Sequence, residues 1–310
     1  MEKSLHILEK RVFSIININL AEIAFITLFF AETSYYLLIM QTGIVECFHS
    51  DMSKLWMIPV GGVLGILTMF SVKERSFVVL VALFFQTLLM FFYPTFSGLT
   101  LFILGFLSGL VAPYLIYQLR TLQQVLIVLG LAYLLGTFAV TIPAEHRGLL
   151  AIVLSMVALF SSYFVTPLEE KEQKELKLST YITIFLWLVL DATLFETLSR
   201  SSGAIWGRDA FTLTISVFHL VGLFIGYKLH QFRYNNLVIL TLFALSYLAF
   251  TLNLSYFLAI VYPIVISYYN VIILKHFMRL SFEHLTLVSV SLWVSAGAGL
   301  GMALIFHHLI

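Results

Sequence analysis

The chain has 310 residues, 61% of them hydrophobic and 11% charged, with a net charge of +1. Soluble domains run near 45–50% and about 25%, so this composition belongs to a membrane protein with no sizeable soluble domain. It offers no basic face for nucleic acid, and the lone Cys47 excludes internal disulfides and Cys-based metal or iron–sulfur sites.

Apolar runs between charged or turn-forming breaks predict eleven spans, near residues 15–41, 55–72, 76–93, 97–118, 123–143, 148–166, 179–199, 210–229, 236–252, 254–274 and 284–306. The weakest break is Leu252-Asn253-Leu254-Ser255, and without it the count falls to ten. The first span follows Lys3, Lys10 and Arg11, but it is too long for a signal peptide and lacks a small-residue cleavage site. Charge placement agrees with eleven. With the N-terminus in the cytoplasm, the inside segments hold 13 Lys and Arg residues and the outside ones 4, namely Lys54, Arg147, Arg200 and Arg208. The orientation expected is N-terminus in, C-terminus out.

The most charged stretch, Glu169 to Lys177, divides the chain into an N-terminal six-helix bundle (1–167), a cytoplasmic linker (168–178) and a C-terminal five-helix bundle (179–310). The halves align weakly but in order. Glu32-Thr33 of span one matches Asp191-Ala192-Thr193 of span seven, and Gly65 of span two matches Gly222 of span eight. Pro113, Tyr114 and Arg120 around span four are answered by Pro263, Tyr269 and Lys275 around span ten. A six-helix shift preserves membrane orientation, which implies a parallel repeat about an axis along the membrane normal.

This layout of two bundles joined by a charged loop resembles the major facilitator superfamily, in architecture more than in motif. Gly65, Leu67, Lys73 and Arg75 fit that family's loop between helices two and three, whereas Met69 stands where its Asp would be. The resemblance also implies a twelfth helix, for which the chain has no span. In that family helices two, five, eight and eleven line the seam between the halves. The pairs Gly61/Gly65, Gly222/Gly226 and Gly297/Gly301 are expected there, with Gly105/Gly109 on span four.

Acids within spans are costly and mark function. Glu32 and Asp191 lie deep on the equivalent first helices of the halves. Either can carry a proton, hold an alkali cation or pair with a substrate amine; the alternative is a neutral acid hydrogen-bonded to a neighbouring helix. Glu22 lies in the first turns of span one. Glu196 stands four residues before Arg200 and reads as an interfacial ion pair. His219 is the deep histidine, a proton relay, a metal ligand or, more commonly for such a residue, a hydrogen-bonded packing group. Gln86, Asn270 and the tyrosines Tyr35, Tyr36, Tyr268 and Tyr269 are candidates to line a cavity. No Lys or Arg lies deep in a span, which favours a neutral or cationic solute.

The reading these residues support is a secondary transporter in the lipid bilayer that moves a small solute by alternating access, with proton coupling through Glu32 and Asp191. It needs no cofactor or metal, and no phosphate-binding loop is present. Short loops suit a bacterial inner membrane. A ten-helix drug/metabolite-type carrier and an accessory subunit are the alternatives. A membrane enzyme is not expected, because Glu145-His146 and Glu283-His284 are its only approximations to a catalytic cluster.

Overall fold

The computed structural model describes residues 20–48, 54–166, 176–200 and 205–309. It is all-helical in its regular structure, with eleven main helices among the described residues: α1 (Leu20–Cys47), α2 (Met57–Ser71), α3 (Arg75–Leu89), α4 (Gly98–Gln118), α5 (Leu122–Ala139) and α6 (Gly148–Ser162), then α7 (Leu178–Arg200), α8 (Asp209–Leu229), α9 (Asn235–Thr251), α10 (Ser255–Phe277) and α11 (Phe282–Leu309). Seven are long and apolar enough to cross a membrane, and α2, α6 and α9 are shorter apolar helices. The protein is an integral membrane protein.

The doubtful break between α9 and α10 is real. Asn253 adopts a left-handed φ of 55°, a conformation that Asn tolerates better than other side chains. The chain therefore reverses within three residues. Positions 15–19 of the first expected span, and most of the charged linker at 168–178, lie outside the described residues.

α1 runs six residues beyond its expected end at 41, because Tyr36–Gly43 widens into a π-helix. Thr42 Oγ1 donates to the Leu37 and Leu38 carbonyls at 2.9 Å each, which accommodates the looser turn. Arg147 fixes the far end. It is almost wholly buried, donates to the Ile142 and Val140 carbonyls and to Thr42, and grips both oxygens of Glu46 at 2.9 and 3.0 Å. All five of its N–H donors are used. Arg147 is thus a structural pin between α1 and the α5–α6 connection.

Helix contacts show the repeat. α2 packs on α4, α3 on α4 and α1 on α5; after a six-helix shift these become α8 on α10, α9 on α10 and α7 on α11, and all three contacts are present. The contacts joining the two sets, α2 with α11 and α5 with α8, exchange under the same shift. Helices two, five, eight and eleven therefore form the seam, as expected.

Two of the three glycine pairs expected at the seam, Gly61/Gly65 and Gly222/Gly226, pack within their own halves instead. A Cβ added at Gly61 or Gly65 would come 2.1 Å from the Phe102 or Phe106 carbonyl oxygen, and one at Gly105 would come 2.1 Å from that of Ile58. These glycines bring α2 and α4 together inside the first half. A Cβ added at Gly222 would come 2.5 Å from the Ile264 carbonyl oxygen, so the equivalent pair α8–α10 uses the same device. At the seam itself Gly62 receives the Trp293 ring and Gly297 meets Pro59 at ordinary contact distance. Small residues serve backbone approach in lipid, and the closest approaches here lie within each half.

Candidate functional site

Between the two halves lies a cavity of about 430 Å³, lined by α1, α2, α4, α5, α7, α8, α10 and α11. Its wall includes Glu32, Tyr36 and Thr42 of α1, Tyr133 and Thr137 of α5, and Asp191 and Glu196 of α7, and it runs along α4 to Ile116 and along α10 to Phe277. Beyond those two residues the halves meet. Arg75 lies 3.7 Å above the ring of Phe282, which meets Tyr117 edge-on at 5.4 Å. A cation over an aromatic face and a buried aromatic pair close that end.

Glu32 and Asp191, the acids that the repeat equates, both line the cavity. Asp191 receives two phenol hydroxyls from α10: Tyr262 donates to Oδ1 at 2.9 Å and Tyr269 to Oδ2 at 2.6 Å. Tyr247 of α9 donates to the neighbouring Leu190 carbonyl at 2.8 Å. Glu32 accepts from Gln86 Nε2 of α3 at 2.8 Å. Gln86 is fully buried behind Glu32 and does not line the cavity.

The other expected residues divide. Tyr36 faces the cavity, which accounts for its 39% exposure, and Tyr35 lines it while donating to Met90 Sδ. Asn270 also lines it and donates to the Tyr133 hydroxyl at 3.0 Å, tying α10 to α5. His219 stacks on Tyr133 with ring centroids 4.4 Å apart, and its Nδ1 bonds Ser267 at 2.8 Å. It holds α8, α5 and α10 together at the cavity wall. Tyr268 points elsewhere, bonding Asn235 at the start of α9. Glu22 lies apart as well, in a separate cavity of about 200 Å³, where Gln124 donates to it at 2.9 Å.

Glu196, expected in an interfacial ion pair with Arg200, also lines the cavity. Trp206, from the α7–α8 connection, and Trp293 of α11 also line it. Trp206 packs edge-on against Tyr262 at 5.3 Å, beside the Asp191 clamp. Three carboxyls and many aromatic faces thus share one space, and among the described residues no Lys or Arg lines it.

No protein-family model matches the sequence, and no curated protein does either. Among solved structures, the chain is similar to the human organic anion transporter MFSD10 (TETRAN), with 13% sequence identity, a TM-score of 0.51 and 92% of each chain covered. That likeness, spanning both halves, is one of fold.

Proposed function

We propose that the chain is a secondary transporter of the major facilitator type, which moves a small organic cation by rocking its halves around the central cavity in exchange for protons. The observation that carries this reading is the composition of the cavity wall, with Glu32, Asp191 and Glu196 among aromatic rings and no Lys or Arg among the described lining residues. Such a wall attracts an aromatic or alkyl ammonium through charge and through cation–π contact. It opposes an organic anion, so the cargo named for the human neighbour does not carry over. With the N-terminus in the cytoplasm, the Arg75–Phe282–Tyr117 contact closes the cytoplasmic side. Short connections suit a bacterial inner membrane.

Exchange follows from electrostatics. A cation entering beside a protonated carboxyl favours its ionised form, so binding expels a proton. Proteoliposomes that are acidic inside are therefore expected to accumulate phenyltrimethylammonium and to leave benzenesulfonate outside. Changing Glu32 to Gln removes the exchangeable proton, and uptake should cease to respond to the imposed pH gradient. Uptake of the sulfonate in preference to the ammonium would overturn the cation assignment. An unaltered pH response with both Glu32 and Asp191 changed to amides would overturn the coupling.

A further inference from the structure

We infer that the two equivalent acids hold opposite protonation states in this conformation: Glu32 is the neutral acid, kept so by Gln86, and Asp191 is the carboxylate.

Gln86 is fully buried, and its Nε2 donates to Glu32 Oε1 at 2.8 Å. Its own carbonyl oxygen, Oε1, is buried without a hydrogen-bond partner among the described residues. A buried amide oxygen without a donor is costly, and an ionised carboxylate beside it cannot donate. A neutral carboxyl can. With the proton on Oε2, Glu32 donates to Gln86 Oε1 while Oε1 of Glu32 accepts from Nε2, closing a two-bond acid–amide ring. Protonation of Glu32 supplies the hydrogen that the amide lacks.

Asp191 and Glu196 share the cavity that Glu32 lines, and the helices packed on α1 add no further charge beside Glu32. α5 and α6, which pack on α1, carry no charged residue, and their one titratable side chain is Tyr133. α3 has only Arg75, eleven residues from Gln86 at the opposite end of the helix, and Tyr35 is the titratable neighbour on α1 itself.

Asp191 shows the reverse pattern. Both of its oxygens receive phenol hydrogens, and a carboxylate, which only accepts, satisfies both donors at once. The titratable groups around it are the phenols Tyr36, Tyr133, Tyr247, Tyr262 and Tyr269, with Glu196 further along α7. α9 contributes Tyr247 and no charged residue, α10 carries Lys275 and His276 in its last turn, and the charged and titratable residues of α11 are Glu283 and the histidines near its ends.

Two carboxyls whose environments differ in this way take different tasks. Asp191 carries the charge that holds the cation, Glu32 carries the exchangeable proton, and Gln86 is a positioning residue acting through Glu32. That division of labour rests on the transport reading, whereas the protonation states do not. They can be read without any substrate.

The test is infrared spectroscopy of the purified protein in lipid at neutral pH. The wild-type spectrum minus that of Glu32→Gln should contain the C=O stretch of a neutral carboxyl. The wild-type spectrum minus that of Asp191→Asn should contain carboxylate stretches and no such band. Gln86→Leu should shift the neutral band, and the exchanged pair Glu32→Gln with Gln86→Glu should restore one. A neutral-carboxyl band assigned to Asp191 and absent for Glu32 would overturn the proposal. A band left at its wild-type frequency by Gln86→Leu would remove Gln86 from it.

Discussion

Uptake of an ammonium solute should fall by about 10- to 100-fold when Asp191 is changed to Asn, with the protein still folded. The amide keeps the shape of the carboxyl but removes the charge facing the solute, and a hydrogen bond or ion pair to a charged group contributes about 1.5–3 kcal/mol. Asn also replaces one acceptor by a donor, so one of the Tyr262 and Tyr269 hydroxyls loses its side-chain acceptor, although Tyr262 keeps the backbone carbonyl of residue 191. Tyr269→Phe, which removes a single donor and leaves the charge, should have the smaller effect. Concentration-dependent uptake into proteoliposomes separates the two. Asp191→Asn should raise the solute concentration needed for half-maximal uptake well beyond the effect of Tyr269→Phe, and equal effects would show that the clamp, rather than the charge, holds the solute.

The second large effect is structural. Gly105→Ala places a methyl group 2.1 Å from the Ile58 carbonyl oxygen, a distance that only backbone movement relieves. Overpacking of a tight contact typically costs about 1–3 kcal/mol, and a rigid backbone neighbour puts this site at the upper end. Gly301→Ala has nothing within 4 Å of the new methyl. There the substitution should gain about 0.5–1 kcal/mol from the better helix propensity of Ala. Thermal unfolding in detergent should show Gly105→Ala well below the wild type and Gly301→Ala at or above it. Similar midpoints for the two variants would contradict the α2–α4 contact.

That contrast also marks how far the sequence was legible. Gly61/Gly65 and Gly297/Gly301 are indistinguishable as small-residue pairs, because spacing says which face of a helix is small but not which helix approaches it. The structure sets the first pair against α4 and leaves Gly301 facing open space. Helix number and order were legible because hydropathy and loop charge report on the membrane directly. Glu32 and Asp191 could be found because an acid inside an apolar run stands out, and a six-helix shift relates them.

Glu196 shows where local spacing stops informing. Its i,i+4 relation to Arg200 is a local signal, while its place on the cavity wall depends on how α7 is rotated against the other half. Gln86 stood out as polar, but its pairing with Glu32 crosses 54 residues of sequence and has no local trace. The π-helical stretch of α1 was likewise hidden, since the Arg147 pin holding its end comes from beyond α5. Tyr268, equally polar and adjacent to Tyr269, falls on the other side of α10.

The central claim is that one cavity between the two halves opens alternately to either side of the membrane. A single cysteine placed at Ala296, on the cavity wall of α11, in a Cys47→Ser background tests it most directly. Labelling with a membrane-impermeant thiol reagent should succeed from each side in turn, and saturating phenyltrimethylammonium should slow both reactions. Labelling confined to one side under every substrate and pH condition would contradict alternating access.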